Sequence, residues 1–156
     1  MAMILIVSYR IERKLMESSI RKLHTTEILG TLDRINFILL EAENSRRGYM
    51  LLANTPNKQQ YQIHTENIQA QLARFKKLTA DDQIQQQRLS KLGALIAQKL
   101  ANLGSSITDR DNSGYQPEQQ SRMTEEGALL TLMIQTNIDE IINEKKSLLI
   151  ELQTVE

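Results

Sequence analysis

The sequence predicts an all-α protein, an up-down-up-down four-helix bundle whose long first and last helices form a stalk. Three observations lead there. Apolar residues recur in steps of three and four along nearly the whole chain, and nowhere in the strict alternation of a half-buried strand. Helix breakers fall in only three places. Aromatic residues make up 4% and Trp is absent, so the core must come from Leu, Ile and Met, which suit helices better than sheets.

The first break is Asn54-Thr55-Pro56, where Thr55 can cap a helix and Pro56 suits its first position. The second is Thr79-Ala80-Asp81-Asp82, with the pattern of a capping box. The third is Asp109 to Pro117, a loop marked by Gly114 and Pro117. Helices are therefore expected over about 11–53, 56–78, 80–108 and 117–154. Their expected buried faces are Ile28, Leu32, Ile35, Leu39, Ala42, Arg46 and Tyr49 in the first; Tyr61, Ile68, Leu72 and Phe75 in the second. The third offers Leu89, Leu92, Ile96, Leu100, Leu103 and Ile107. The fourth offers Ile134, Ile138, Ile141, Lys145, Leu148, Leu152 and Val155, with Lys145 its one polar member. Methionines such as Met50, Met123 and Met133 read as core filler.

Short loops make neighbouring helices antiparallel. At a helical rise of ~1.5 Å per residue the helices span about 63, 34, 43 and 57 Å, which returns both termini to one end, about 15 Å apart. The second helix is too short to reach that end. The apolar seam nonetheless continues there through Ile11, Leu15 and Ile20 and through Leu148, Leu152 and Val155. A seam without enough intrachain partners calls for either a second copy or a membrane-facing stalk, and a parallel homodimer is the preferred solution.

Residues 1–10 begin MAMILIV, an apolar run far short of the ~20 residues that span a bilayer and without the basic start of a signal peptide. The expectation is the stub of a transmembrane helix, leaving 11–156 as a single domain; the alternative is a helix end packed in the core. Arg10, Arg13 and Lys14 just after it weigh against placing this side outside the cytoplasm.

The formal net charge is zero, which offers no electrostatic footprint for nucleic acid. Cysteine is absent, so disulfide and thiolate chemistry are excluded. His24 and His64 sit on different helices without metal-ligand spacing and read as rim residues. The adjacent acids Asp81-Asp82 and Glu125-Glu126 point in different directions, so no catalytic pair is indicated. No phosphate-binding glycine pattern or nucleophile with a base appears. The expectation is a non-enzymatic domain without metal or cofactor. Glutamine-rich stretches at Gln83–Gln87 and Gln116–Gln120 read as solvated helix starts.

The densest polar cluster inside the apolar pattern runs from Glu41 to Tyr49. Glu43 and Arg47 are four apart and share a helix face, so they can pair. Gly48 in mid-helix costs roughly 1 kcal/mol against Ala and implies a close neighbour. Glu43, Arg46, Arg47, Gly48 and Tyr49, with Tyr61, are the candidate site. They form either an ion pair that fixes helix register or a pocket in which Arg46 or Arg47 binds an anion.

In this segment Ala42-Glu43, Arg47-Gly48-Tyr49 and Leu51-Leu52, followed by Tyr61, resemble the signature of the third type of CHASE domain (cyclase and histidine-kinase associated sensory extracellular). The Leu78–Asp81 turn, Arg88-Leu89 with Leu92, Gly127, and Glu144 ahead of Leu148-Leu149 also look familial, so the resemblance covers about residues 25–150. Asn54 departs from the family, where glycine is frequent; asparagine tolerates the same left-handed conformation. The resemblance implies an extracytoplasmic, periplasmic sensor of a small ligand or partner protein. It would lie between the transmembrane helices of a histidine kinase or nucleotide cyclase and have no catalytic activity. A taxis-receptor ligand-binding bundle shares the topology and lacks the Glu43–Tyr49 element. Outside the receptor class, the alternative is a structural or adaptor bundle that dimerises without sensing.

Overall fold

The computed structural model describes residues 2–154, with side chains from 9 to 152. It contains four helices in order: α1 Ala2–Leu52, α2 Thr55–Leu78, α3 Gln83–Ser113 and α4 Pro117–Thr154. They form the expected antiparallel bundle. Among the described residues the α2 and α4 backbones do not come close and lie on one diagonal, while α1 and α3 approach across the centre.

The turns differ from expectation in which residue caps. α1 ends on Ala53, whose φ of 49° is left-handed and whose N–H donates to the Tyr49 carbonyl at 2.7 Å. Asn54 is extended and caps α2, its side chain accepting from the Asn57 amide at 3.2 Å. The left-handed residue is thus Ala53, and the cap is Asn54 rather than Thr55. Thr79 does not open α3; it closes α2, with its N–H donating to the Phe75 carbonyl at 3.1 Å. Asp82 caps α3 by accepting from the Gln85 amide at 3.0 Å. An ionised acid here also meets the positive end of the helix dipole. α3 then runs on through Asp109–Ser113, residues expected in the loop, and stops at Gly114 with φ 71°.

The core is a file of Ile28, Leu32, Ile35 and Leu39 from α1, Ile68 and Phe75 from α2, Leu89, Leu92, Ile96 and Leu100 from α3, and Ile134, Ile138 and Ile141 from α4. These match the expected faces. Met50 is buried, but Met133 is half open to solvent and fills no core. The solvated reading of the glutamines fails at two positions: Gln85 and Gln120 are both buried.

The bundle closes at the α2–α3 turn. There His24 Nε2 meets the Leu78 carbonyl at 2.7 Å, and Lys145 reaches Asp82 at 3.3 Å. The Asp82 carboxyl is pushed up by burial, but the Gln85 amide, Lys145 and the Ile84 amide together hold it below the usual range. Arg88 pairs with Glu144, and Gln85 donates to the same carboxylate at 3.0 Å. Past this level α1 and α4 continue without α2 or α3, as expected of a stalk. Because α1 begins by Ala2 and not near 11, its overhang is about 30 Å at ~1.5 Å per residue, longer than that of α4. Ile11, Leu15 and Ile20 are about half exposed, Leu148 is 37% exposed and Leu152 is partly covered. Val155 and Met1 lie outside the described residues, as do the side chains of 2–8, on which the stub reading of 1–10 falls. Among the described residues no helix is long and apolar enough to cross a membrane.

Phe75→Ala, at a fully buried position, is expected to lower unfolding free energy by about 3–5 kcal/mol. Asp82→Ala should cost about 1 kcal/mol or more by removing the cap and orphaning Lys145. Urea melts followed by circular dichroism check both.

Candidate functional site

The polar residues singled out near the end of α1 divide into three neighbourhoods rather than one pocket. Glu43 does not pair with Arg47. It pairs with Lys99 of α3, a lysine only 3% exposed, and accepts from the Thr131 hydroxyl of α4 at 3.1 Å. Lys99 also donates to the Gly127 carbonyl at 2.8 Å. A Cβ on Gly127 would lie 2.9 Å from Asn102 Oδ1 and 3.2 Å from Lys99 Nζ, so glycine leaves room for that approach. Asn102 donates to the Met123 carbonyl at 3.1 Å. One charged pair therefore ties α1, α3 and α4. Beside it an apolar cleft of about 280 Å³ is lined by Phe37, Leu39, Leu40 and Ile134.

Tyr49 belongs to a second cluster. Its hydroxyl donates to Asp111, which also receives Lys58, and Lys58 lies 5.8 Å from the centre of the Tyr49 ring. α1, α2 and α3 are thereby joined at the end away from the termini. Lys58, followed by Tyr49, holds the Asp111 carboxyl below the ordinary carboxylate range, and the Asp111 contact pushes the Tyr49 phenol up. Gly48 is explained on the other side of the turn. A Cβ there would come within 2.8 Å of the Asn57 amide group, so the close neighbour is Asn57, whose own backbone N–H Asn54 caps. Tyr61, on α2, donates to the Leu100 carbonyl at 2.7 Å, and its oxygen would sit 3.1 Å from a Cβ on Gly104. Burial pushes the Tyr61 phenol up.

Arg46 and Arg47 form the third neighbourhood, facing the start of α4 across a cavity of about 380 Å³ that Tyr115, Gln120 and Ser121 also line. Arg47 is exposed. Arg46 is half-buried, its Nε has no hydrogen-bond partner, and burial pushes its guanidinium below the usual value. Among the described residues no three His, Asp or Glu side chains converge to hold a metal ion. His24 is exposed and hydrogen-bonded to backbone, and His64 lies part-buried on α2.

Lys99, Asp111, Gln120 and Thr131 were missed by the sequence reading. Lys99 had a signal: it follows Leu92 and Ile96 by the same four-three step that places core residues. Asp111 had none, because it fell in a segment taken for loop.

The model of the CHASE3 domain family matches residues 19–154. The chain belongs to the CHASE3 domain family. The sensor domain of the histidine kinase HK9 of Rhodopseudomonas palustris, known from a crystal structure, has the same fold. It is 23% identical, with a TM-score of 0.72, and the match covers 81% of this chain and 98% of that one. No curated protein sequence matches the chain. This CHASE3 domain is a sensory domain of a signalling receptor, a class of domain that is typically extracellular.

Lys99→Met alone strands Glu43 against the bundle and is expected to cost about 3–5 kcal/mol, whereas Lys99→Met with Glu43→Gln should recover most of the loss. Chemical denaturation of the two variants reads the difference. Asp111→Asn should lower Tm at pH 7. The folded-state pKa of Asp111 is depressed, so its contribution is present at neutral pH and is lost as pH falls below about 4. The Tm gap between parent and variant is therefore expected to shrink through that window in a pH series of thermal melts.

Proposed function

We propose that this domain is the periplasmic part of an inner-membrane receptor, a histidine kinase or nucleotide cyclase, working as a parallel homodimer. The observation that carries the reading is the stalk. α1 and α4 leave the closed bundle together, with both termini on one side and apolar residues uncovered along them. Membrane helices continuing from both would place the closed bundle farthest from the bilayer. A second copy would cover Ile11, Leu15, Met16, Ile20 and Leu23 of α1, each close to or above half exposed.

In this reading a stimulus at the far end displaces α1 against α4. Packed helices shift in discrete steps of ~1–2 Å, because side chains interlock rather than deform, and a long helix carries such a step along its length. The bundle supplies the coupling: Glu43, Lys99 and Thr131 tie α1 to α4 above the stalk. No chemistry at the domain is needed. An adaptor bundle that dimerises without sensing would share the uncovered stalk and would lack output coupling.

One experiment separates these readings and a second tests the dimer that they share. The chain has no cysteine, so Leu40→Cys with Gln135→Cys, which line one cleft between α1 and α4, can be bridged cleanly by a short bismaleimide. In the intact receptor the bridge is expected to lock output in one state, and an unchanged response argues for the adaptor. By sedimentation equilibrium the chain is expected to dimerise and Ile20→Glu to weaken that dimer about tenfold or more; a parent that stays monomeric rejects the homodimer.

A further inference from the structure

The cavity between the end of α1 and the start of α4 is lined by two residues with unmet buried donors, whereas the opposite end of the bundle has one unmet buried acceptor, Gln85 Oε1. Lys99, the most deeply buried cation, is fully engaged by Glu43 and the Gly127 carbonyl. Arg46 is not engaged. Its Nε is buried with no acceptor, and its nearby carboxylate, Glu43, is taken by Lys99 and Thr131. The same cavity is lined by Gln120, a side chain 4% exposed. Gln120 Oε1 accepts from the Ser106 hydroxyl at 2.5 Å, which leaves Nε2 buried and without a partner. A buried donor left unmet costs about 1–3 kcal/mol, more when charged. Both donors belong to residues that line the cavity, though the two atoms themselves are closed to solvent.

The remaining lining narrows its class. Met50, Leu51 and Tyr115 present apolar surface, with Ser121 and the exposed Arg47 at the side. Glu125 also lines the cavity and is exposed, so the negative charge of a ligand must sit inward at Arg46. A volume of about 380 Å³ falls within the range of small-molecule sites. An inorganic anion would satisfy the guanidinium and leave the apolar wall unused. An organic acid satisfies both.

We propose that this cavity binds a small organic carboxylate, whose oxygens accept from the Arg46 guanidinium while its carbon body rests on Met50, Leu51 and Tyr115 beside Gln120. This rests on the sensory reading given above and names the ligand class at its far end. A ligand seated there bridges α1 to α4 near the α3–α4 turn, the pair of helices that leave as the stalk. It changes the free energy of one relative position of those helices, and only to the extent that it binds that position better.

The test uses the purified chain, with sodium butyrate and sodium succinate as probes and sodium phosphate and sodium chloride as controls. Calorimetry gives affinity, and the Arg46 Nε–H resonance in 15N NMR reports on the guanidinium. At least one carboxylate is expected to bind in the millimolar range or tighter and to shift that resonance. Arg46→Gln should weaken binding about tenfold or more. Arg46→Lys keeps the charge and guards against a folding defect, and it should also bind more weakly because the fork of donors is lost. Equal shifts with phosphate or chloride, no shift with either carboxylate, or variants that bind like the parent would overturn the proposal. So would a resonance that moves only with protein concentration, since a second copy would then be the acceptor. Carboxylate binding that leaves the output of the intact receptor unchanged would keep the site and reject sensing. A receptor that responds without any such binding would do the reverse.

Discussion

The buried ammonium of Lys99 is the constraint around which the upper bundle is arranged. A charge at that depth cannot be tolerated without partners, because desolvation would cost more than any packing returns. Its partners come from two other helices: the carboxylate of Glu43 on α1 and the carbonyl of Gly127 on α4. Glycine at 127 follows from this, since a side chain there would crowd both Lys99 and Asn102. The hydroxyl of Thr131, one turn on, completes the shell of Glu43. Apolar layers alone allow helices to slide by a turn at modest cost. A charged contact that joins three helices permits one register, and the stacked isoleucines and leucines below it inherit that register.

The two ends of the bundle treat polarity differently. At the α2–α3 turn, Asp82, Lys145, Arg88 and Glu144 form ion pairs across elements, with the Gln85 amide donating into them. That end is closed with one buried acceptor, Gln85 Oε1, left unmet, and the stalk hangs from it. At the opposite end Tyr49, Asp111 and Lys58 are likewise matched, but two residues lining the cavity beside them keep buried donors unmet. A protein with no use for that cavity would fill it with an acceptor or with apolar side chains. The uncovered apolar residues of α1 have the same logic at larger scale. In the proposed reading both are surfaces whose partners lie outside the single chain.

Much of the fold could be read from the sequence because apolar periodicity is a strong signal in long helices. The steps from Ile28 to Tyr49, Arg46 excepted, and from Leu89 to Ile107 fall on buried residues. The turns were less legible. Asn54, Thr79 and Asp82 can all cap, and which one does depends on where the chain reverses, a property of the whole packing rather than of the local residues. The site was half legible. Tyr49 and Gly48 stood out for good reason, but the partner of Glu43 lies 56 positions away on another helix, while Arg47 at four positions was the nearer guess. Long-range pairing of this kind leaves no local trace except a lysine in a core-spaced position. The family signature compensates in part: of the residues that carry it, Glu43, Gly48, Tyr49 and Tyr61 are engaged in these contacts.

In the proposed receptor α1 and α4 move against each other where they leave the bundle. Spin labels on Ile20→Cys and Leu148→Cys in the full receptor, one on each helix of the stalk, read that motion as a distance by pulsed electron paramagnetic resonance. Between the receptor held on and held off, the intrachain distance or its distribution should change by the ~1–2 Å of a helix step. Identical distances in both states, with output switching normally, would contradict it.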